Sequence, residues 1–145
     1  EWLIGKPEEC ELLARKICEH HDGGRLLLAL RGDLGAGKTT FTQQIGKHLG
    51  VTEPITSPTF TIMRRYETEN PNWKQLVHID AYRFESDSEA GPLALDEVFQ
   101  EENVVCCVEW PERIAQLLPE TVWTLDFNIE SNETRRVTIT LPDTQ

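Results

Sequence analysis

The stretch RLLLALRGDLGAGKTTF, residues 25–41, decides the fold. It opens with a short continuous apolar run at residues 25–30, which is typical of a strand covered on both faces. A glycine-rich segment follows directly. From Lys38 to Leu49 the apolar residues recur on one side of a predicted helix, and Gly50 closes it. Strand, glycine loop and helix in direct succession predict an α/β unit with the loop at its centre.

The loop itself, GDLGAGKTT at residues 32–40, matches the pattern G-x-x-x-x-G-K-[ST]. Gly32, Gly37, Lys38 and Thr39 stand in its four fixed positions. Successive backbone N–H groups and a helix N-terminus offer donors to a polyphosphate without bulky side chains. Lys38 offers a compact cation to the β and γ phosphates, and the Thr39 hydroxyl can ligate a bridging Mg²⁺. The pattern therefore predicts a site for a nucleoside triphosphate.

We expect the whole loop to surround the nucleotide, with main-chain amides from 33 to 38 wrapped around the phosphates. The candidate ATP-binding residues in this segment are Asp33, Leu34, Gly35, Ala36, Gly37, Lys38, Thr39 and Thr40. Gly35 and Ala36 allow close approach, and Thr40 is placed to reach the α phosphate. Asp33 is interpreted as part of the loop structure, because a phosphate would repel its carboxylate.

Two acidic residues end apolar runs and are the candidate second anchors for Mg²⁺. Asp80 follows QLVHI and Glu109 follows VVCCV, as expected for acids at the ends of strands that neighbour the loop. With Lys38 they form the candidate catalytic set, and with Thr39 the candidate metal ligands. In one division of roles, Asp80 holds the metal or its water shell while Glu109 contacts Mg²⁺ or orients the attacking water. The residues alone leave this division open.

Two neighbours of these acids have less defined roles. His78 lies two residues before Asp80, on the same strand face, and is interpreted as a hydrogen-bonded structural histidine. Trp110 directly follows Glu109. It is either a core or edge aromatic residue or a contact for a ligand or partner.

The remaining sequence predicts an α/β fold with a largely parallel central sheet, flanking helices and a C-terminal antiparallel hairpin. We expect helices at 7–21, 93–99 and 111–118, and strands at 60–68, 75–80, 104–110, 122–129 and 135–141. A chain of 145 residues fits one domain, 1–145.

The balance of charge argues against direct contact with nucleic acid. The chain has 14 Lys plus Arg against 25 Asp plus Glu, a net charge of -11, which would repel a phosphate backbone. Its four cysteines lack the C-x-x-C spacing of zinc and redox sites. No basic and apolar leader and no apolar run of 18 residues is present, so we expect a protein of the reducing cytoplasm.

Four sequence blocks together resemble the bacterial TsaE family, formerly YjeE, of ATPases in tRNA threonylcarbamoyladenosine formation. The blocks are GDLGAGKTTF at 32–41, SPTF at 57–60, HIDAYR at 78–83 and VEWPER at 108–113. The resemblance implies a small P-loop NTPase fold, ATP with Mg²⁺ as cofactors, and work alongside the TsaB and TsaD proteins.

The resemblance also implies roles for individual residues. Lys38 and Thr39 would contact phosphate and metal, Asp80 would be the strand-end acid, and Glu109 would be a Mg²⁺ ligand. The block at 57–60 is similar to a nucleotide-sensing switch, with Thr59 as its polar contact. Near the base end of the nucleotide the family places the start of the first helix and the last hairpin, here Glu9 and Arg135.

The implied function is ATP hydrolysis that supports TsaB and TsaD in forming N6-threonylcarbamoyladenosine at position 37 of tRNAs that read ANN codons. Any tRNA contact would run through the complex. Two alternatives stay open, a non-catalytic nucleotide-dependent switch and a small-molecule P-loop kinase. A GTPase is disfavoured because the chain has no N-K-x-D guanine-reading motif.

Overall fold

The computed structural model describes residues 2–4, 7–20, 25–32, 37–55, 63–70, 73–81, 95–112, 114, 118–119, 121–129 and 135–140. The helices are α1 Pro7–His20, α2 Lys38–Leu49 and α3 Leu95–Val98. The strands are β1 Trp2–Ile4, β2 Arg25–Arg31, β3 Met63–Glu67, β4 Gln75–Asp80, β5 Val104–Glu109, β6 Trp123–Ile129 and β7 Arg135–Thr140. Apart from β1 and the predicted helix at 111–118, these bounds agree with the predicted elements within a few residues.

All seven strands lie in one sheet, in the order β1-β7-β6-β2-β5-β4-β3. The four central strands, β6, β2, β5 and β4, are parallel to one another. The pairs at the two sides, β6 with β7, β7 with β1, and β4 with β3, are antiparallel. The predicted parallel core and C-terminal antiparallel hairpin are both confirmed.

Apolar side chains cover both faces of the central strands. On one face, residues of β2 and β5 pack in one cluster with α1 and α2: Leu26, Leu28, Val105, Cys107, Leu13, Ile17, Phe41 and Ile45. On the other face, a second cluster joins the same strands to α3 and the residue after it: Leu27, Cys106, Val108, Val98 and Phe99. This double burial explains why β2 and β5 read as continuous apolar runs rather than as alternating ones.

Helix α2 begins and ends at glycines in the left-handed region of backbone space. Gly37 has φ 106° before the first helical residue, and Gly50 has φ 82° after the last. The N–H of Gly50 donates to Lys47 O and that of Val51 to Gly46 O, which satisfies carbonyls at the helix end. Lys47 and His48 lie in the last turn, where positive charge is favourable.

Two regions differ from the predicted pattern. Strand β1 was not predicted, because three residues are too few for a periodic signal; it pairs with β7, Trp2 opposite Val137. In the predicted helix at 111–118, Pro111, Glu112 and Ile114 lie in a 3₁₀ turn, and most of the remainder falls outside the described residues. Within the described ranges, no helix is both long and apolar enough to cross a membrane.

Candidate functional site

The candidate site lies at the carboxyl edge of the parallel strands. Leu30 of β2, Glu109 of β5 and Asp80 of β4 are neighbours in register across three adjacent strands. Gly32 directly follows β2 at this edge, and Gly37 directly precedes α2. The fold therefore brings both predicted acids to the edge at which the N-terminus of α2 starts, where parallel α/β sheets bind ligands.

Lys38 is a buried cation at the start of α2. Its side chain is only 4% exposed. Its Nζ donates a hydrogen bond to the Gly32 carbonyl oxygen at 2.5 Å and lies 4.1 Å from the centre of the Trp110 ring. A buried ammonium costs free energy unless nearby groups compensate for its lost water. These contacts hold the Lys38 ammonium between Gly32, the residue after β2, and Trp110, the residue after β5.

Thr39 and His78 both reach the carboxylate of Glu109. The Thr39 hydroxyl donates to Glu109 Oε2 at 2.9 Å, and His78 Nε2 lies 2.7 Å from the same oxygen. Glu109 is 5% exposed and His78 is fully buried. Three elements, α2, β4 and β5, thus meet at one oxygen atom.

The charge of Glu109 is stabilised by its surroundings. Burial alone raises the pKa of this carboxyl group, but the hydrogen bond and charge of His78, the Thr39 hydroxyl and the nearby Lys38 ammonium together outweigh it. The net result is a pKa below the ordinary value of 4.5. Glu109 is therefore an anion near neutral pH, the form in which a carboxyl group binds a divalent cation.

Trp110 has an unusual backbone conformation at the end of β5. Its φ is 58°, in the left-handed region that bulky residues rarely occupy. The side chain is half-buried, packs against the second apolar cluster and presents its ring to Lys38. Trp110 is therefore an edge aromatic residue whose ring faces Lys38, and its contact with a ligand or partner remains a prediction.

The structure places some of the other predicted site residues and not all of them. Asp80 is 8% exposed at the end of β4, and the Ala81 N–H after it donates to the Glu109 carbonyl oxygen at 3.0 Å. Thr40 is exposed on α2. The predicted ATP-binding residues that lie outside the described residues are Asp33, Leu34, Gly35, Ala36 and Thr59.

Arg135 lies on β7, two strands away from β2 in the sheet, and Glu9 lies on α1, the helix between β1 and β2 in the chain. Arg135 is the first residue of β7 and pairs in register with Ile129 at the end of β6 and Ile4 at the end of β1. Glu9 is half-buried in the first turn of α1, which starts shortly after β1. Because β6 runs parallel to β2, this corner lies on the same edge of the sheet as the glycine segment. The predicted assignment of both residues to the base end remains a prediction.

The residues present fit a magnesium nucleotide. Mg²⁺ takes oxygen ligands and is usually held by one or two carboxylates together with substrate phosphates and water. Thr39 and Glu109 offer a hydroxyl and an ionised carboxylate in direct contact, and Lys38 adds a fixed positive charge beside them. Among the described side chains, no group of three or more His, Cys, Asp or Glu residues forms a metal site by itself.

Sequence reasoning missed the link between His78 and Glu109. It identified His78 as hydrogen-bonded but did not identify the partner, because the order of strands in the sheet is not visible in the sequence. The sequence does show that His78 and Asp80 are two residues apart on one strand. Their side chains therefore lie on the same face of β4, the face towards α2. The contact between Lys38 and Trp110 had no sequence signal that we recognise.

Comparison with known proteins identifies relatives of the whole chain. The family model described as Threonylcarbamoyl adenosine biosynthesis protein TsaE matches residues 4–137. The chain is 39% identical over 140 residues to the tRNA threonylcarbamoyladenosine biosynthesis protein TsaE of Bacillus subtilis, covering 97% of this chain and 84% of the relative. It is 37% identical to the Streptomyces coelicolor protein of the same name, covering 88% of this chain and 87% of the relative.

A solved structure agrees with the fold. The crystal structure of Bacillus subtilis YdiB matches with a TM-score of 0.77 and 34% sequence identity, covering 98% of this chain and 84% of that one. The family model and the sequence relatives carry the same family description. The chain belongs to the TsaE family of threonylcarbamoyladenosine biosynthesis proteins.

Proposed function

We propose that this chain binds ATP with Mg²⁺ at the start of α2 and hydrolyses it in support of TsaB and TsaD. The observation that carries the proposal is the meeting of a buried ammonium, a hydroxyl and an ionised carboxylate, from Lys38, Thr39 and Glu109, at one edge of the sheet. These are the groups that a phosphate chain and its metal require.

Each residue of the proposed site has a separate role in binding the nucleotide and its metal. The N-terminus of α2 and the amides before it bind phosphate oxygens, and Lys38 neutralises charge at the β and γ phosphates. Thr39 and Glu109 would hold the metal. Bound there, Mg²⁺ would supply positive charge against the negative charge that develops on the phosphates.

Asp80 is the second carboxylate of the proposed site. It neighbours Glu109 in register at the end of β4, and this position supports a role in holding water next to the proposed metal. We propose that Glu109 is the direct ligand, because its carboxylate accepts a hydrogen bond from the hydroxyl of Thr39, the other proposed ligand. This division leaves Asp80 to orient the attacking water.

We assign the binding of tRNA to the partner proteins. A net charge of -11 disfavours direct contact with tRNA, so we propose that TsaB and TsaD hold the RNA and use the nucleotide cycle of this chain. The product would be N6-threonylcarbamoyladenosine at position 37 of tRNAs that read ANN codons. The cytoplasm, where tRNA is modified, is the proposed location.

Binding is tested by calorimetry with a matched pair of lysine variants on α2. Lys38→Met removes the buried ammonium and keeps an unbranched side chain. Lys47→Met removes an exposed lysine whose ion pair with Glu11 is a weak surface contact. Hydrogen bonds to charged groups contribute roughly 1.5–3 kcal/mol, so Lys38→Met should weaken Mg-ATP binding roughly ten- to hundredfold. Lys47→Met should bind as the unchanged protein does.

Hydrolysis is tested by phosphate release with and without purified TsaB and TsaD. We expect stimulation by the two partners and loss of the stimulated rate in Glu109→Ala. Equal binding by Lys38→Met and the unchanged protein would contradict the proposed site. Tight binding without turnover, even with both partners, would replace hydrolysis by a nucleotide-dependent switch.

A further inference from the structure

His78 is a fully buried polar residue that contacts the proposed metal ligand. It lies on β4 next to β5, on the same face of the sheet as Asp80 and Glu109. Its Nε2 is 2.7 Å from Glu109 Oε2, the shorter of the two hydrogen bonds at that oxygen. A contact of this length to a buried group constrains the positions of both side chains.

The chemistry of the pair determines which atom donates. An ionised carboxylate has no hydrogen to give, so the hydrogen of this bond belongs to Nε2 of His78. The Thr39 hydroxyl donates to the same oxygen from α2. Within the described part of the chain, both hydrogen bonds of the Glu109 carboxylate therefore go to Oε2, and neither goes to Oε1.

Two donors on one oxygen fix the rotation of the carboxylate. With Thr39 alone, the group could turn about its last torsion, which is broad in an unrestrained glutamate. A second donor from a different element removes that freedom. His78 is itself held by β4, whose pairing with β5 keeps His78 opposite Cys107 and two residues from Glu109.

We propose that His78 is a positioning residue that orients the Glu109 carboxylate, so that Oε2 holds the Thr39 hydroxyl and Oε1 stays available to the metal. This rests on the proposed magnesium nucleotide site. Groups that hydrogen-bond to metal ligands set ligand orientation, and their loss commonly weakens metal affinity or activity about 10–100-fold. His78 therefore contributes to metal binding without touching metal or nucleotide.

Two amide substitutions separate positioning from simple filling of space. In His78→Gln, the amide nitrogen can reach the place of Nε2 and donate to Glu109. In His78→Asn, the amide is one methylene shorter and does not reach it. Both side chains are polar and non-ionising. Should His78→Asn not fold, His78→Leu, which has similar bulk and no donor, takes its place.

The main measurement is the affinity for Mn²⁺, used as a spectroscopic substitute for Mg²⁺, in the nucleotide-loaded protein by electron paramagnetic resonance. ATP affinity in EDTA is measured on the same samples by calorimetry. We expect His78→Asn to bind Mn²⁺ about 10–100-fold more weakly, while its metal-free ATP affinity stays unchanged. His78→Gln should recover most of the loss. A merely structural role would lower thermal stability in both variants without this split.

A second measurement needs neither nucleotide nor metal. Nitrogen-15 NMR of the histidine ring in the ligand-free protein should show hydrogen on Nε2, and Glu109→Leu should shift that resonance. Mn²⁺ affinity in His78→Asn equal to that of the unchanged protein, or an Nε2 without hydrogen, would overturn the positioning role and leave the proposed function standing. Absence of any ATP binding in the unchanged protein would instead remove the proposed function, whatever the ring spectrum shows.

Discussion

Glu109 combines burial with a negative charge, and its neighbours make that combination stable. A carboxylate removed from water normally gains a proton. Here donors from Thr39 and His78 and the charge of Lys38 favour the ionised form. The same groups are those to which we assign the binding of a magnesium nucleotide and the orientation of its ligand. The chemistry of the proposed site and the stability of the folded chain are therefore linked at this residue.

Acid should remove the stabilising contribution of Glu109. Its pKa in the folded protein is below the ordinary value of 4.5, so its contribution is fully present above that pH and is lost as pH falls through the folded value. We expect the difference in free energy of unfolding between the unchanged protein and Glu109→Gln to shrink from pH 6 towards pH 3. Urea denaturation at a series of pH values measures it.

The control for this experiment is Glu112→Gln, which changes an exposed carboxylate three residues further along the chain. Its difference from the unchanged protein should vary much less over the same range. A difference for Glu109→Gln that stays constant from pH 6 to pH 3 would contradict the lowered pKa.

At the scale of elements, α2 is packed so closely that a side chain at one of its positions would force a neighbouring side chain to shift. A Cβ added at Gly46 would lie 2.1 Å from Cδ1 of Ile55. Ile55 is buried, and its carbonyl oxygen accepts a hydrogen bond from Gln43 Nε2 at 2.8 Å. Helix α2 therefore holds the chain at Ile55, directly before the segment that contains the SPTF block.

Gly46→Ala should destabilise the protein, against the usual effect of this change in a helix. Glycine to alanine inside a helix ordinarily stabilises by about 0.5–1 kcal/mol. Here overpacking against Ile55 should cost about 1–3 kcal/mol, so we expect a net loss. Chemical denaturation measures it, with Lys47→Ala on the exposed side of α2 as the control, which should stay within about 0.5 kcal/mol. A stabilised Gly46→Ala would show that Ile55 can move aside.

Most elements could be predicted from local sequence patterns. The apolar runs of β2 and β5, the glycines around α2 and the alternation in β6 and β7 each have a short-range cause. Strand β1 could not be predicted, because three residues gain their hydrogen bonds only from β7. The close approach of Ile55 to Gly46 was equally hidden, since it arises from tertiary packing.

At the scale of the whole molecule, the reactivity of the four cysteine thiols measures how readily the packing of the sheet against the helices opens. Cys10 and Cys18 are buried on α1, and Cys106 and Cys107 are buried on β5; all four are free thiols. Burial raises the pKa of Cys10 to about 11 and, with Glu19 nearby, that of Cys18 to about 12. Burial likewise raises the pKa of Cys106 and Cys107.

The folded protein should therefore resist thiol reagents. At pH 8 few of these groups are thiolates, and none is accessible without opening of the structure. We expect negligible reaction with Ellman's reagent in the native protein and reaction of all four thiols in urea. Rapid reaction of any one thiol in buffer would contradict its burial and would locate, by mass spectrometry, the element that opens.

The sequence by itself determined the strand, glycine loop and helix around Lys38 and Thr39, because these depend on residues close together in the chain. It also marked Asp80 and Glu109 as acids at strand ends. Only the tertiary structure decided that β5 lies between β2 and β4, and hence that Glu109 meets Thr39 and His78 while Lys38 meets Trp110. The physical reason is that alternation along a strand sets which face a side chain occupies, whereas its neighbours on that face depend on pairing between distant segments.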